Sequence, residues 1–201
     1  MTRIVAGAAG GRRLRVPPAG TRPTSDRVRE ALFSALDARI DFAGARVLDL
    51  YAGSGALGLE ALSRGAEHAL LVEYNRKAAA VVRGNIADLG LPGAQLRIAT
   101  VASVLESGGA GAFDVVFSDP PYALENAAVQ ADLRALAERD WLRPGALVVL
   151  ERSARSAEID WPPGFIPAKS RRYGETRVDL AEFELEAATA PATADHPVRS
   201  C

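Results

Sequence analysis

The sequence has one cysteine and no long apolar run, and each scarcity excludes a class of protein. Cys201 is the only cysteine, so no intrachain disulfide can form and we expect a reducing compartment. No apolar run approaches the ~20 residues that a bilayer-spanning helix needs, and the arginine-containing N-terminus lacks the apolar segment of a signal peptide. These features predict a cytoplasmic protein that does not act at a membrane.

Histidine is also scarce, which argues against metal and hydrolase chemistry. His68 and His196 have no cysteine or histidine neighbours at ligand spacing, so we expect no metal site. Ser54 lies between two glycines, but it lacks the G-x-S-x-G spacing of a hydrolase nucleophile and a suitable histidine partner. A serine hydrolase is therefore excluded.

Positive charge is concentrated at one end of the chain. The 201 residues carry a formal net charge of -1, whereas residues 1–30 contain seven arginines and two acidic residues, a net charge of +5. A basic segment on a near-neutral protein favours binding to a polyanion; pairing of the arginines with local carboxylates is the alternative. The candidate nucleic-acid contacts are Arg3, Arg12, Arg13, Arg15, Arg22, Arg27 and Arg29.

A strand, a glycine-rich turn and a helix are predicted over residues 45–60. The apolar residues of 47–50 are typical of a buried parallel strand. Gly53, Gly55 and Gly58 then fit G-x-G-x-x-G, where glycine allows a sharp turn and close approach of a ligand to the backbone. Free N–H groups at the start of the following helix are expected to point at that ligand.

Two carboxylates favour a cationic nucleoside ligand over a dinucleotide. Asp49 precedes the glycines, where it would repel a pyrophosphate but accept hydrogen bonds from an ammonium group. Glu73 ends the next predicted strand, a position from which an acidic side chain can bind both hydroxyls of a ribose.

The segment Asp119-Pro120-Pro121-Tyr122 follows another buried strand, over 113–118, so it is expected at the same edge of the sheet as the glycine turn. Two prolines remove two N–H donors and leave mainly acceptors. Such a loop suits the amino group of a nucleobase or an amide, and Tyr122 would stack on an extruded base. A rigid loop with a packed aromatic ring is the structural alternative.

Strands and helices alternate along most of the chain, which predicts an α/β fold with a mostly parallel, doubly wound sheet. A basic hairpin over 3–16 and a helix after Asp26 precede it. Predicted strands cover 45–50, 68–73, 95–99, 113–118, 146–151, 165–171 and 176–185; predicted helices cover 56–64, 75–89 and 126–139, with a short turn at 102–106. We divide the chain into an RNA-binding extension (1–40), a catalytic domain (41–185) and a disordered tail (186–201).

The glycine turn, Glu73 and the Asp-Pro-Pro-Tyr segment together resemble the S-adenosylmethionine site of class I methyltransferases, which have a Rossmann-like, seven-stranded sheet. With two N-terminal motifs the sequence resembles, more narrowly, the RsmD family of bacterial 16S ribosomal RNA guanine-N2 methyltransferases. The motifs are Gly11-Arg12-Arg13-Leu14, Thr21-Arg22-Pro23-Thr24-x-Asp26-Arg27-Val28-Arg29-Glu30, Ala52-Gly53-Ser54-Gly55-Ala56-Leu57-Gly58 and Asp119-Pro120-Pro121-Tyr122.

This resemblance implies methyl transfer from S-adenosyl-L-methionine to the N2 amino group of one guanine, in an assembled or nearly assembled small subunit, by a monomeric enzyme. The implied cofactor contacts are Asp49, Tyr51, Gly53, Gly55, Glu73, Val101, Ala102 and Asp119. The implied catalytic residues, which hold the flipped guanine, are Asp119, Pro120 and Tyr122, and the arginines bind RNA phosphates.

Two other functions stay open at this point. The same Pro-Pro-Tyr loop would serve an amino-methyltransferase acting on DNA adenine or a protein amide. A non-catalytic ribosome assembly factor that retains the fold is the third possibility.

Overall fold

The computed structural model describes residues 2–17, 26–109 and 112–184. Predictions for Arg22 and for the tail 186–201 lie outside these residues. The strands are β1 (Thr2–Arg3), β2 (Arg13–Leu14), β3 (Arg46–Leu50), β4 (His68–Val72), β5 (Ala94–Arg97), β6 (Phe113–Ser118), β7 (Leu142–Ser153), β8 (Phe165–Tyr173) and β9 (Thr176–Phe183). The helices are α1 (Asp26–Asp37), α2 (Ala56–Ser63), α3 (Arg76–Leu89), α4 (Val101–Glu106) and α5 (Asn126–Glu138).

Seven of the strands form one sheet in the order β5-β4-β3-β6-β7-β9-β8. Strands β3 to β7 pair in parallel, and β9 and β8 continue the sheet as an antiparallel hairpin. The predicted α/β architecture is therefore confirmed. The predicted turn over 102–106 is instead helix α4, which Thr100 caps by accepting a hydrogen bond from the Ser103 N–H. No helix in the described ranges is long and apolar enough to cross a membrane.

Both faces of the sheet are covered, which explains why its central strands are almost continuously apolar. Val47 faces the core formed with α1, α2 and α3, whereas its neighbour Leu48 faces the core formed with α4 and α5. Because parallel strands end at the same edge, this packing brings the residues that follow β3, β4, β6 and β7 together.

The N-terminal hairpin of β1 and β2 packs on α2 and shares the core of the sheet. Ile4 and Leu14 are buried in the same cluster as Val47. The fully buried carboxylate of Glu60 accepts hydrogen bonds from the Val5 N–H at 2.6 Å and the Ala6 N–H at 3.0 Å. The predicted RNA-binding extension is thus attached to the catalytic domain by buried contacts.

We expect Glu60→Gln to lower the free energy of unfolding by about 3 kcal/mol, because it removes a buried charge that also pairs with Arg64 at 2.9 Å and leaves buried donors unsatisfied. Chemical denaturation measures the change. The matched control is Glu138→Gln at the exposed end of α5, which should change stability by less than about 0.5 kcal/mol. Equal stabilities of the two variants would contradict the assignment of Glu60 as the attachment point.

Candidate active site

A cavity of about 710 Å³ opens where β3, β4, β6 and β7 end. Its volume lies in the range of small-molecule and cofactor sites. Nine of the residues predicted from sequence line it: Arg29, Asp49, Tyr51, Gly53, Glu73, Val101, Asp119, Pro120 and Tyr122. The fold therefore brings three separate sequence motifs to one cavity.

Gly55 is not among the residues that line the cavity, although its neighbours Ser54 and Ala56 are, so its cofactor contact stays a prediction. Its φ is +79°, and a Cβ atom there would lie 2.9 Å from a methyl group of Leu71. Gly55 is needed because α2 starts against the sheet at this point. Gly53, by contrast, lines the cavity, and its N–H donates to Glu73 Oε2 at 2.9 Å.

Asp49 is buried beneath the glycine turn. Its Oδ2 accepts a hydrogen bond from the Gly58 N–H at 2.9 Å, so one of the helix N–H groups expected to face a ligand is already used. Burial raises the pKa of Asp49 to about 7; the Gly58 hydrogen bond opposes this shift and the nearby Glu73 carboxylate adds to it.

Glu73 is oriented by the backbone on both sides. Its Oε2 accepts from Gly53, and its Oε1 accepts from the Asn75 N–H at 2.7 Å. A carboxylate oxygen can accept more than one hydrogen bond, so the oriented group can still bind the hydroxyls of a nucleoside. Its place in the cavity wall suits the predicted ribose contact.

Only one of the two residues predicted to contact the adenine lines the cavity. Val101 lines the cavity, whereas Ala102 is exposed and does not, because α4 begins at Val101 and turns Ala102 outward. The side chain of Ala102 therefore lies outside the cavity, and a backbone contact of Ala102 with the cofactor stays a prediction. Ala99 lines the cavity instead; its small apolar side chain gave no signal in the sequence.

The Asp-Pro-Pro-Tyr loop forms the other wall of the cavity. The Tyr122 ring is half exposed, and its hydroxyl lies 3.3 Å from Thr176 Oγ1 on the β8–β9 hairpin. Behind the loop, buried Arg152 donates to Asn126 Oδ1 at 2.7 Å. The loop is thus held between the helix that follows it and the end of the sheet.

A further carboxylate, Glu151, lies beside Asp119. Ser118 of β6 pairs with Leu150 of β7, so Asp119 and Glu151 occupy the next position on adjacent parallel strands, and both line the cavity. Burial, then Glu151 and then Asp49 raise the pKa of Asp119 well above its usual value. Sequence reasoning missed Glu151, although it is the first polar residue after the apolar run 146–150 of β7. Within the described ranges no group of three potential ligands is arranged to hold a metal ion.

Tyr51 also lines the cavity. Its backbone has φ +62°, and its hydroxyl donates to Asp132 on α5. Only the ring therefore remains to contact a ligand.

Besides Arg12, four of the predicted RNA-binding arginines are exposed. Arg13 and Arg27 form no ion pair in the part of the chain that the structure describes. The guanidinium groups of Arg3 and Arg15 lie 3.7 Å from Asp26 and 2.8 Å from Asp88, but their side chains are about two-thirds exposed. All four remain accessible to a polyanion.

Arg12 and Arg29 have structural contacts instead. Arg12 donates to the carbonyls of Asp88 and Leu89 at the end of α3. Arg29 is fully buried and donates to Asp26 and to the Arg3 carbonyl. The prediction that Arg29 belongs to an exposed RNA-binding surface is wrong, because its partners hold it in the interior.

The pKa of Asp49 predicts a pH-dependent stability. Between about pH 4 and pH 7 the unfolded chain loses this proton while the cofactor-free folded chain keeps it, so stability falls as pH rises. We expect Asp49→Asn to reduce this fall and to raise the free energy of unfolding at pH 8 by about 2 to 4 kcal/mol. Chemical denaturation at pH 5 and pH 8 measures the free energy of unfolding of each variant, and exposed Asp160→Asn is the control. A wild-type pH slope in Asp49→Asn would contradict the assignment.

Comparison with known proteins supports a methyltransferase site. A family model described as "Conserved hypothetical protein 95" matches residues 2–182. Ribosomal RNA small subunit methyltransferase D of Escherichia coli K12 is 40% identical over 185 residues, which cover 92% of this chain and 91% of that protein.

Solved structures agree on the fold. A hypothetical protein of Thermus thermophilus matches with TM-score 0.77 and 36% identity, covering 92% of this chain and all of that one. Magnesium protoporphyrin IX methyltransferase from Synechocystis, solved with bound S-adenosylmethionine, shares the fold alone at 16% identity and TM-score 0.62, over 79% of each chain. The predicted cofactor is confirmed as S-adenosylmethionine, and this chain belongs to the RsmD family of methyltransferases.

Proposed function

We propose that the protein methylates the N2 amino group of a guanine in 16S ribosomal RNA, within an assembled or nearly assembled small subunit. The name of the E. coli relative supports ribosomal RNA of the small subunit as the substrate class. The choice of guanine N2 rests on one observation, the adjacent carboxylates Asp119 and Glu151.

Two neighbouring carboxylates fit the hydrogen-bonding edge of guanine. That edge presents N1–H beside the N2 amino group, both donors, whereas the corresponding edge of adenine places the N1 lone pair beside the amino group. Asp119 would accept from the guanine amino group and Glu151 from N1–H. Adenine would bring its N1 lone pair against a carboxylate, which is unfavourable.

The loop residues then have separate roles in transfer. Bound S-adenosylmethionine supplies the methyl group. Asp119 accepts a hydrogen bond from the amino group and so directs the nitrogen lone pair into the cavity, while Tyr122 stacks on the base. Pro120 has no N–H that would compete for Asp119. The raised pKa of Asp119 makes its carboxylate a stronger base than that of an ordinary aspartate. Asp119 can therefore also accept the proton that the amino group loses on methylation.

The cofactor is held on the opposite side of the cavity in this proposal. Glu73 would bind the ribose hydroxyls, and Asp49, Tyr51 and Gly53 would surround the methionine end. Val101 would contact the adenine. The exposed arginines Arg3, Arg13, Arg15 and Arg27 would contact RNA phosphates, with the salt sensitivity of such contacts.

The test is product identification with methyl-labelled cofactor and, separately, naked 16S RNA, small subunits lacking the modification, duplex DNA and total protein. We expect N2-methylguanosine from subunits, and we expect Asp119→Ala to lower turnover more than about 100-fold while retaining cofactor binding. Exposed Asp160→Ala is the control. Label in DNA or protein would replace the proposed substrate, and cofactor binding without any transfer would favour an assembly factor.

The role of Glu151 can be tested with 2-aminopurine at the target position, since this base keeps the N2 amino group but lacks N1–H. We expect the analogue to reduce wild-type kcat/KM about 10- to 100-fold, the value of one hydrogen bond to a charged group. In Glu151→Ala, guanine and 2-aminopurine should react at similar rates. The control variant, exposed Glu158→Ala, should keep the wild-type preference for guanine over 2-aminopurine. If Glu151→Ala binds the cofactor normally by calorimetry and still shows this preference, the proposed role of Glu151 is contradicted.

A further inference from the structure

Strand β8 forms an exposed basic edge of the sheet. Its residues 166–172 are all exposed, and β9 is its only neighbour in the sheet order. Lys169, Arg171 and Arg172 form no ion pair within the described ranges. Two of the nearby carboxylates have other partners: Asp179 accepts from Ser170 and Arg177, and Glu175 pairs with Arg155.

Strand register places Lys169 and Arg171 on one face. They pair with Leu180 and Val178 of β9, whose side chains belong to the core on the face that carries α1 and the N-terminal hairpin. Directly paired residues of antiparallel strands point to the same side. Lys169 and Arg171 therefore lie on the same face of the sheet as the N-terminal hairpin, and Arg172 points to the opposite face.

The same strand leads to the cavity. Tyr173 of β8 pairs with Thr176 of β9, and Thr176 contacts the Tyr122 hydroxyl at the cavity. Arg171 is only two residues from Tyr173, and successive residues of a strand advance by about 3.3 Å. A nucleotide whose base is stacked on Tyr122 would leave its flanking backbone within reach of this hairpin.

We propose that Lys169 and Arg171 bind phosphates of the RNA strand that flanks the target nucleotide. This inference rests on the proposed function, because it takes the base in the cavity to be part of an RNA. Val16 and Pro17, which follow the N-terminal hairpin, line the same cavity, so the two basic hairpins contact one continuous substrate on one face of the sheet.

A simpler role for these charges is protection of the sheet edge, since lysine and arginine on an exposed edge strand prevent pairing with another chain. The two roles have different consequences. Loss of phosphate contacts weakens RNA binding and its salt dependence, whereas loss of edge protection causes self-association without a change in RNA affinity.

The experiment compares two double variants with equal charge loss. Lys169→Gln with Arg171→Gln removes the proposed contacts; Arg172→Gln with Arg134→Gln removes two exposed arginines, the first directed to the opposite face and the second on α5. Fluorescence anisotropy with labelled 16S RNA fragments measures binding independently of methyl transfer. Sedimentation measures self-association, and calorimetry measures cofactor affinity.

We expect the first double variant to bind RNA about tenfold more weakly than wild type and to reduce the slope of log K against log salt by about 1.5. Its cofactor affinity should be unchanged. The second double variant should resemble wild type in all three measurements. Equal effects of the two variants, or self-association without loss of RNA affinity, would overturn the proposal. So would a loss seen only with whole subunits and not with RNA, which would indicate a protein contact. If wild type binds RNA through this edge but yields no N2-methylguanosine, the proposed function fails and the binding surface stands.

Discussion

The site depends on the constraint that parallel strands end at the same edge of a sheet. This edge collects four acidic side chains, Asp49, Glu73, Asp119 and Glu151, from four different strands. Their burial and proximity raise the pKa of Asp49 and of Asp119, a cost that a cationic cofactor and a donor-rich base would relieve. Backbone N–H groups already orient Asp49 and Glu73. The predicted cofactor side is therefore organised before binding, and Asp119 and Glu151 line the same cavity.

Helix α2 connects this edge to the N-terminal hairpin. Its third residue, Gly58, donates to Asp49 in the site, and its fifth, Glu60, accepts from the hairpin backbone. Ser63, at the end of the helix, donates to the Ala6 carbonyl and accepts from the Ala9 N–H. Because one short, buried helix makes both sets of contacts, the position of the hairpin relative to the cofactor turn is fixed by the fold. In the proposed function, this arrangement would place an RNA bound by the hairpin against the cavity.

The order of strands and helices was predictable from the sequence, and most of the predicted cofactor and catalytic residues line the cavity, because apolar runs and glycine turns are local signals. The errors arose where the answer depends on tertiary contacts. The close approach of Leu71, which requires glycine at position 55, is not visible in the sequence. Arg29 was predicted to be a surface arginine, because its burial beside Asp26 and the Arg3 carbonyl is visible only in the folded chain. Glu151 was missed because its importance depends on its register with Asp119, and register between strands is not visible in one sequence.

The correction to Arg29 changes how the basic charge should be understood. With Arg29 buried and Arg12 bonded to the carbonyls at the end of α3, the N-terminal segment offers fewer cations to a polyanion than its net charge suggests. The β8 edge offers further exposed cations on the same face of the sheet, and its hairpin contacts Tyr122 of the cavity wall through Thr176. In the proposed RNA complex, strand register, rather than the count of arginines, therefore decides which cations lie near the cavity.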